Sequence, residues 1–142
     1  MSEFKKNLLK NLENDVYCRI MPSKKHGVGV FAIKDIPKGK NPFKITGVSC
    51  LKGKVLNINE SELKNIDTEI LKMISDFYHK DEKGFYGIPY KGINANDISF
   101  YMNTSKKPNV SFKSSSKCSM VEFFTLKPVK KGHELLINYD EY

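Results

Sequence analysis

The sequence is poor in cysteine, has no long apolar run and carries almost no acid in one lysine-rich stretch. Its three cysteines, Cys18, Cys50 and Cys118, stand far apart with no C-x-x-C or C-x-C pair. That spacing argues against a cysteine-based zinc cluster and against a disulfide framework. No stretch approaches the ~18 apolar residues that a spanning helix needs, so no membrane role is expected. Met1 to Leu12 carries lysines without an apolar core and does not read as a signal peptide. From Ser99 to Lys131 seven lysines stand against one acid, Glu122, and the whole chain has a net charge of +8. Such a balance attracts polyanions. Nucleic acid therefore stays open as a partner, but no aromatic-interleaved basic groove supports it. A solvated lysine-rich surface is the simpler reading.

What is present suits one domain of 142 residues, 39% hydrophobic and 28% charged. A chain of this length buries roughly two-thirds of its unfolded surface, enough for a core without staples. The composition reads as soluble, globular and intracellular, in cytoplasm or nucleus. Phe4, Leu8, Leu9 and Leu12 have helical spacing, so residues 1–15 form a short helix or a loose tail. Val16 to Met21 and Val28 to Ile33 read as strands. Phe43 to Leu56 reads as a strand broken at Gly47 and Gly53. Asn59 with Glu62 makes a capping box, and the period through Leu63, Ile66, Ile70, Met73, Ile74 and Phe77 predicts a helix over Ser61 to Tyr78. Lys80 to Asn96, with Gly84, Gly87, Pro89 and Gly92, reads as loop. Asp97 to Met102 suits one helical turn. Val110 to Phe112, Met120 to Leu126 and Leu135 to Tyr139 read as strands. Many short strands around one helix predict small β-sheets, not a doubly wound fold.

One segment echoes another. "FAIKDIPKG", Phe31 to Gly39, and "FTLKPVKKG", Phe124 to Gly132, align without a gap. Each combines a strand, a proline-bearing turn and a glycine, and the pair predicts two similar units related by pseudo-symmetry.

Three motifs carry the functional signal. In "HGVGVFA", His26 to Ala32, Gly27 and Gly29 let the backbone approach a ligand closely. "YMNTSKKPN", Tyr101 to Asn109, is a polar loop rich in hydrogen-bonding groups. "GHELLINY", Gly132 to Tyr139, ends in a tyrosine, an ordinary residue at a strand end.

In this order and at these separations, the three motifs resemble a SET domain, the fold of many protein-lysine methyltransferases. The resemblance covers about Val16 to Tyr142. "YMNTSKKPN" is similar to the family's F-x-N-H-S-x-x-P-N, and "GHELLINY" to its G-E-E-L-x-x-x-Y. It implies a mainly β, β-clip fold of small twisted sheets over residues 16–142. A helical insert at about 48–96 and a C-terminal pseudoknot are part of the same expectation. It also implies S-adenosylmethionine on one face, a lysine-bearing protein or peptide on the other, and a narrow channel between them.

The same resemblance assigns roles. Tyr139 stands at the catalytic tyrosine. His26, Gly27, Val28, Gly29, Asn103 and Thr104 stand along the cofactor. Ile45, Phe112, Ile137 and Tyr142 stand along the lysine channel. Three positions depart from the family pattern. Thr104 replaces a histidine, Ile137 a Phe or Tyr that governs methyl number, and Ile45 the tyrosine of Y-x-G. No cysteine-rich segment follows Tyr139, so no zinc or other metal is expected. Tyr142, the segment around Phe85 and Tyr86, or a second subunit of a homodimer is left to close the channel. Two rival readings stand beside the enzyme: a weak or inactive SET-fold module that binds cofactor or peptide, and a β-clip binding module of another function.

Overall fold

The computed structural model describes residues 2–45, 55–114 and 121–141. The first element is helix α1, Glu3–Asn14, capped by Ser2, whose hydroxyl accepts from Lys5 N at 3.2 Å. Its apolar stripe is not covered by any described residue: Phe4 is 89% exposed, and Leu8, Leu9 and Leu12 are exposed too. The helix is tied down by polar contacts, with Asn11 Nδ2 donating to the Lys44 carbonyl at 3.0 Å.

The central sheet is built from β1 (Cys18–Pro22), β2 (Val28–Ala32), β8 (Glu134–Ile137) and β5 (Asn103–Thr104), in that spatial order. Between β2 and β5 in sequence come β3 (Val55–Asn59), α2 (Thr68–Phe77) and β4 (Phe85–Pro89). Strands β6 (Val110–Ser114) and β7 (Val121–Thr125) precede β8. β3 with β4 and β6 with β7 make two separate two-stranded sheets. Val30, Ala32, Leu135 and Ile137, on β2 and β8, meet Ile36, Met102, Val110 and Val129 in the main core cluster.

The sequence echo is a structural pair. Ile36 and Val129, equivalent positions, exchange both backbone bonds at 2.8 and 2.9 Å. Gly39 N donates to Thr125 O while Gly132 N donates to Ala32 O, each at 2.8 Å. Thr125 N reaches Lys40 O while Ala32 N reaches His133 O. Each of these backbone contacts maps onto itself or onto another with the two units exchanged, the signature of a local two-fold relation. Both glycines sit at positive φ, 78° and 88°, where a side chain would strain the turn.

β8 is held along both edges. It pairs antiparallel with β2 (Val30↔Leu135) and parallel with β5 (Thr104↔Ile137). The loop after β5 then returns to the same strand. Ser105 N donates to Ile137 O and Asn109 N to Leu136 O. The Asn109 side chain completes the grip, donating to Glu134 O at 2.9 Å and accepting from Leu136 N at 2.8 Å.

Four local expectations are corrected. The helix expected over Ser61–Tyr78 is two pieces, a 3₁₀ turn at Glu60–Leu63 and α2. The Asn59–Glu62 capping box starts the first, and Asp67, extended, caps the second by accepting from Glu69 N at 2.8 Å. The apolar period runs through the break because Leu63, Ile74 and Phe77 belong to one cluster. Within the expected loop Lys80–Asn96 lies strand β4, paired with β3 over five positions. Its Gly87 signals close approach instead of a turn: a Cβ there would lie 3.1 Å from Val55 Cγ1. Residues 43–45 are not strand, since Asn41 Oδ1 accepts from Phe43 N and turns the chain. Gly47 and Gly53 lie outside the described residues. Finally, β8 stops at Ile137, and Tyr139 opens a 3₁₀ turn, Tyr139–Glu141, with Asn138 Oδ1 accepting from Asp140 N.

Candidate functional site

Asn103 is the first residue of β5, and its side chain crosses to the start of β2 and the residues just before it. Its Nδ2 donates toward Glu134 Oε2 at 2.8 Å, Val28 O at 3.1 Å and His26 O at 3.2 Å. Three oxygens around one end of an amide fix its orientation, because only the NH₂ end can face them. Oδ1 therefore points the other way. It has no partner among the described residues, and it is not a buried unsatisfied atom, so it is open to solvent. Asn103 lies 77 and 75 residues from His26 and Val28, and the fold brings them together.

The two glycines nearby differ. Gly27 has φ of +48° and nothing within 4 Å of where a Cβ would stand, so it leaves open space beside His26. At Gly29 that space is taken. A Cβ would lie 2.9 Å from Glu134 Cδ and 3.1 Å from Asn103 Nδ2. Gly29 is the position that admits the Glu134 carboxylate. Glu134 and Ser23, whose Oγ donates to the same carboxylate at 2.9 Å, are not among the residues the motifs single out. The only local signal was the second acid of the G-E-E-L-like motif.

Tyr139 is fixed from the same direction. Its hydroxyl donates to the Met102 carbonyl, and its backbone N donates to Thr104 Oγ1 at 3.2 Å. The residue is 41% exposed, and its hydroxyl bond to Met102 is partly buried. Burial pushes the phenol above its ordinary value near 10, and donation to a neutral carbonyl acts in the same sense. Thr104, a departure from the histidine of the family pattern, thus supplies a hydroxyl that holds the Tyr139 backbone.

The four channel positions separate. Ile137 is 1% exposed inside the main cluster, and Phe112 packs against that cluster from β6. Ile45 is exposed. Tyr142 lies outside the described residues. Tyr86 is buried in a second cluster with Ile74 and Tyr78, and Phe85 belongs to strand β4, not to a loop. Ile137→Tyr inserts a ring into packed interior, and overpacking costs about 1–3 kcal/mol. The expected result is a fall in thermal midpoint of about 2–4 °C per kcal/mol lost. An unchanged midpoint by calorimetry indicates that the position faces open space.

The second cluster joins the first through Phe77, whose ring lies 5.7 Å from Tyr101, two residues before Asn103. A groove of about 360 Å³ lies there, lined by Phe77, Phe85, Phe100, His79 and Asp81 among others. None of the residues that the motifs single out lines it. Cys18 is buried, and burial pushes its thiol up to about 12, which leaves it unreactive. Among the described residues no group of three His, Cys, Asp or Glu gathers as a metal site, and no helix is long and apolar enough to cross a membrane.

Comparison with known proteins bears on this arrangement. A family model described as SET domain matches residues 27–140, which takes in Asn103, Thr104, Ile137 and Tyr139. Among solved structures, a Plasmodium falciparum protein reported as a candidate histone methyltransferase is similar at TM-score 0.51 and 17% identity. That match covers 87% of this chain and 93% of the other. A humanized mutant of the Chaetomium thermophilum Polycomb Repressive Complex 2, bound to an inhibitor, is similar at TM-score 0.53 and 21% identity. It covers 88% of this chain and 15% of that longer one. No curated protein matches. At these identities the structural likeness carries the fold alone. The family match, with the paired β-units, the gripped C-terminal strand and the Asn103–Tyr139 arrangement beneath it, leads to one statement: the chain belongs to the SET-domain family.

Proposed function

We propose that this protein is an S-adenosylmethionine-dependent methyltransferase acting on the side-chain amine of a protein lysine. One observation supports it above the others. Three consecutive residues tie the cofactor candidates to the catalytic candidate: Met102 O receives the Tyr139 hydroxyl, Asn103 holds the His26–Val28 backbone, and Thr104 holds Tyr139 N. The residues present fit the cofactor's chemistry. Asn103 Oδ1 is an outward acceptor suited to an ammonium group, and Gly27 leaves room beside it. When bound, S-adenosylmethionine supplies a methyl group on a sulfonium cation. Tyr139 presents a neutral hydroxyl that orients an amine without adding charge. The parallel pairing of β5 with β8, and the loop that grips β8, hold that hydroxyl in register.

Isothermal calorimetry of the folded protein with S-adenosylmethionine and with its demethylated product tests the reading, and absence of binding to both overturns it. A labelled-methyl transfer assay on cell-extract proteins, read by mass spectrometry, then identifies the lysine. Binding without transfer selects a second reading, an inactive module. The close packing of Ile137, where a channel wall was expected, is the observation that favours it.

The pH dependence follows from two groups. A lysine amine with an ordinary pKa near 10.4 costs about 4–5 kcal/mol to deprotonate at pH 7. Tyr139, raised above 10, keeps its proton throughout that range. Turnover is expected to rise from pH 7 to 9 without a fall from Tyr139 ionising. A flat profile, with chemistry shown to limit the rate, contradicts this.

A further inference from the structure

Glu134 is a half-buried carboxylate in a chain of net charge +8, yet it pairs with no cation among the described residues. Its partners are neutral donors. Ser23 Oγ donates to it at 2.9 Å, and Ser23 Oγ itself accepts from Lys25 N at 3.0 Å. Asn103 Nδ2 donates to it at 2.8 Å, the shortest of that amide's contacts. The carboxylate occupies the space left by the missing side chain of Gly29. A chain of fixed groups therefore runs from the turn before β2, through Ser23 and Glu134, to the Asn103 amide.

We infer that Glu134 is a positioning residue that sets which end of the Asn103 amide meets the ligand. A carboxylate only accepts, so it pins the NH₂ end and turns Oδ1 outward. Without it, two backbone carbonyls remain to orient the group, and the amide gains freedom to rotate. An outward acceptor selects a ligand donor, such as an ammonium, over a ligand carboxylate. Ser23 orients Glu134 in turn, and Gly29 admits it. The inference rests on the proposed function for the identity of the ligand, but the pinning of the amide does not.

The test combines two measurements on the full chain. In calorimetry with S-adenosylmethionine, Glu134→Ala is expected to weaken binding about ten-fold, on the scale of one charge-assisted hydrogen bond. In an Asn103→Ala background the same change should add less than about three-fold, because Glu134 acts through the amide. Glu134→Gln should recover most of the affinity. Its Oε1 accepts from Asn103, and its Nε2 donates to Ser23 Oγ. A merely structural latch predicts additive losses and no such rescue, and that pattern overturns the proposal. The second measurement follows the Asn103 side-chain NH₂ by NMR without ligand. Glu134→Ala should speed its proton exchange, while backbone amides of β2 and β8 stay protected. Unchanged exchange in a folded variant overturns the proposal. If the wild-type protein binds no cofactor, the proposed function and the ligand half of this inference both fall, and the NH₂ signal still decides whether Glu134 holds Asn103.

Discussion

Tyr139→Phe is expected to lower methyl transfer at least ten-fold while leaving cofactor affinity within about two-fold. The change removes one oxygen and keeps the ring. The hydroxyl now donates to the Met102 carbonyl, so its loss leaves that acceptor to water, which the partly exposed site admits. Stability should change by about 1 kcal/mol, the net worth of one hydrogen bond. The effect on rate should be larger, because the hydroxyl is needed where charge reorganises in the transition state. The Tyr139 backbone stays bound to Thr104 Oγ1 in the variant, so the strand end is not released. Steady-state kinetics with a labelled methyl donor, beside a thermal melt, separates the outcomes. Near-normal turnover with a small stability loss makes Tyr139 an ordinary packing residue and removes its assigned role.

Asn103→Ala is expected to weaken S-adenosylmethionine binding roughly ten- to a hundred-fold, on a loss of about 1–3 kcal/mol. The side chain serves two faces at once. Inward, it satisfies Glu134 and the carbonyls of His26 and Val28. Outward, it offers Oδ1. Alanine removes both, so the start of β2 and the residues just before it lose their tie to Asn103 and the ligand loses its acceptor. Thermal stability falls as well, and the two effects are separable, since saturating cofactor cannot restore a contact that no longer exists. Asn103→Asp is the sharper comparison. A carboxylate there faces the Glu134 carboxylate and two carbonyl oxygens, an arrangement of acceptors alone. It should be at least as damaging as alanine despite its matching shape. A variant with wild-type affinity by calorimetry removes Asn103 from the site.

Much of the fold was legible because its signals are local. The paired units announced themselves as two aligned nonapeptides, since a turn with positive φ demands glycine at one position and favours proline near it. The capping box at Asn59 and Glu62 was read correctly for the same reason: donor and acceptor lie three residues apart. The short strands of β2, β6 and β7 followed from branched and aromatic runs. Where local signals misled, a neighbour in space had overruled them. Gly87, in a stretch whose glycines suggest loop, is a strand residue pressed against Val55. The period through Leu63, Ile74 and Phe77 suggests one helix and belongs to two elements on one cluster.

The sequence by itself determined which chemistry-bearing residues exist and in what order. It held the asparagine motif, the glycines beside His26 and the terminal tyrosine, all short strings whose meaning is carried by spacing. Their joining was a tertiary decision. Asn103 meets Glu134 across 31 residues, and Tyr139 meets Thr104 across 35. No periodicity encodes such a contact, because it exists only once β8 lies between β2 and β5. The same placement put Ile137 in the interior. It also gave Gly29 its purpose, which is room for a carboxylate that arrives from 105 positions further along the chain.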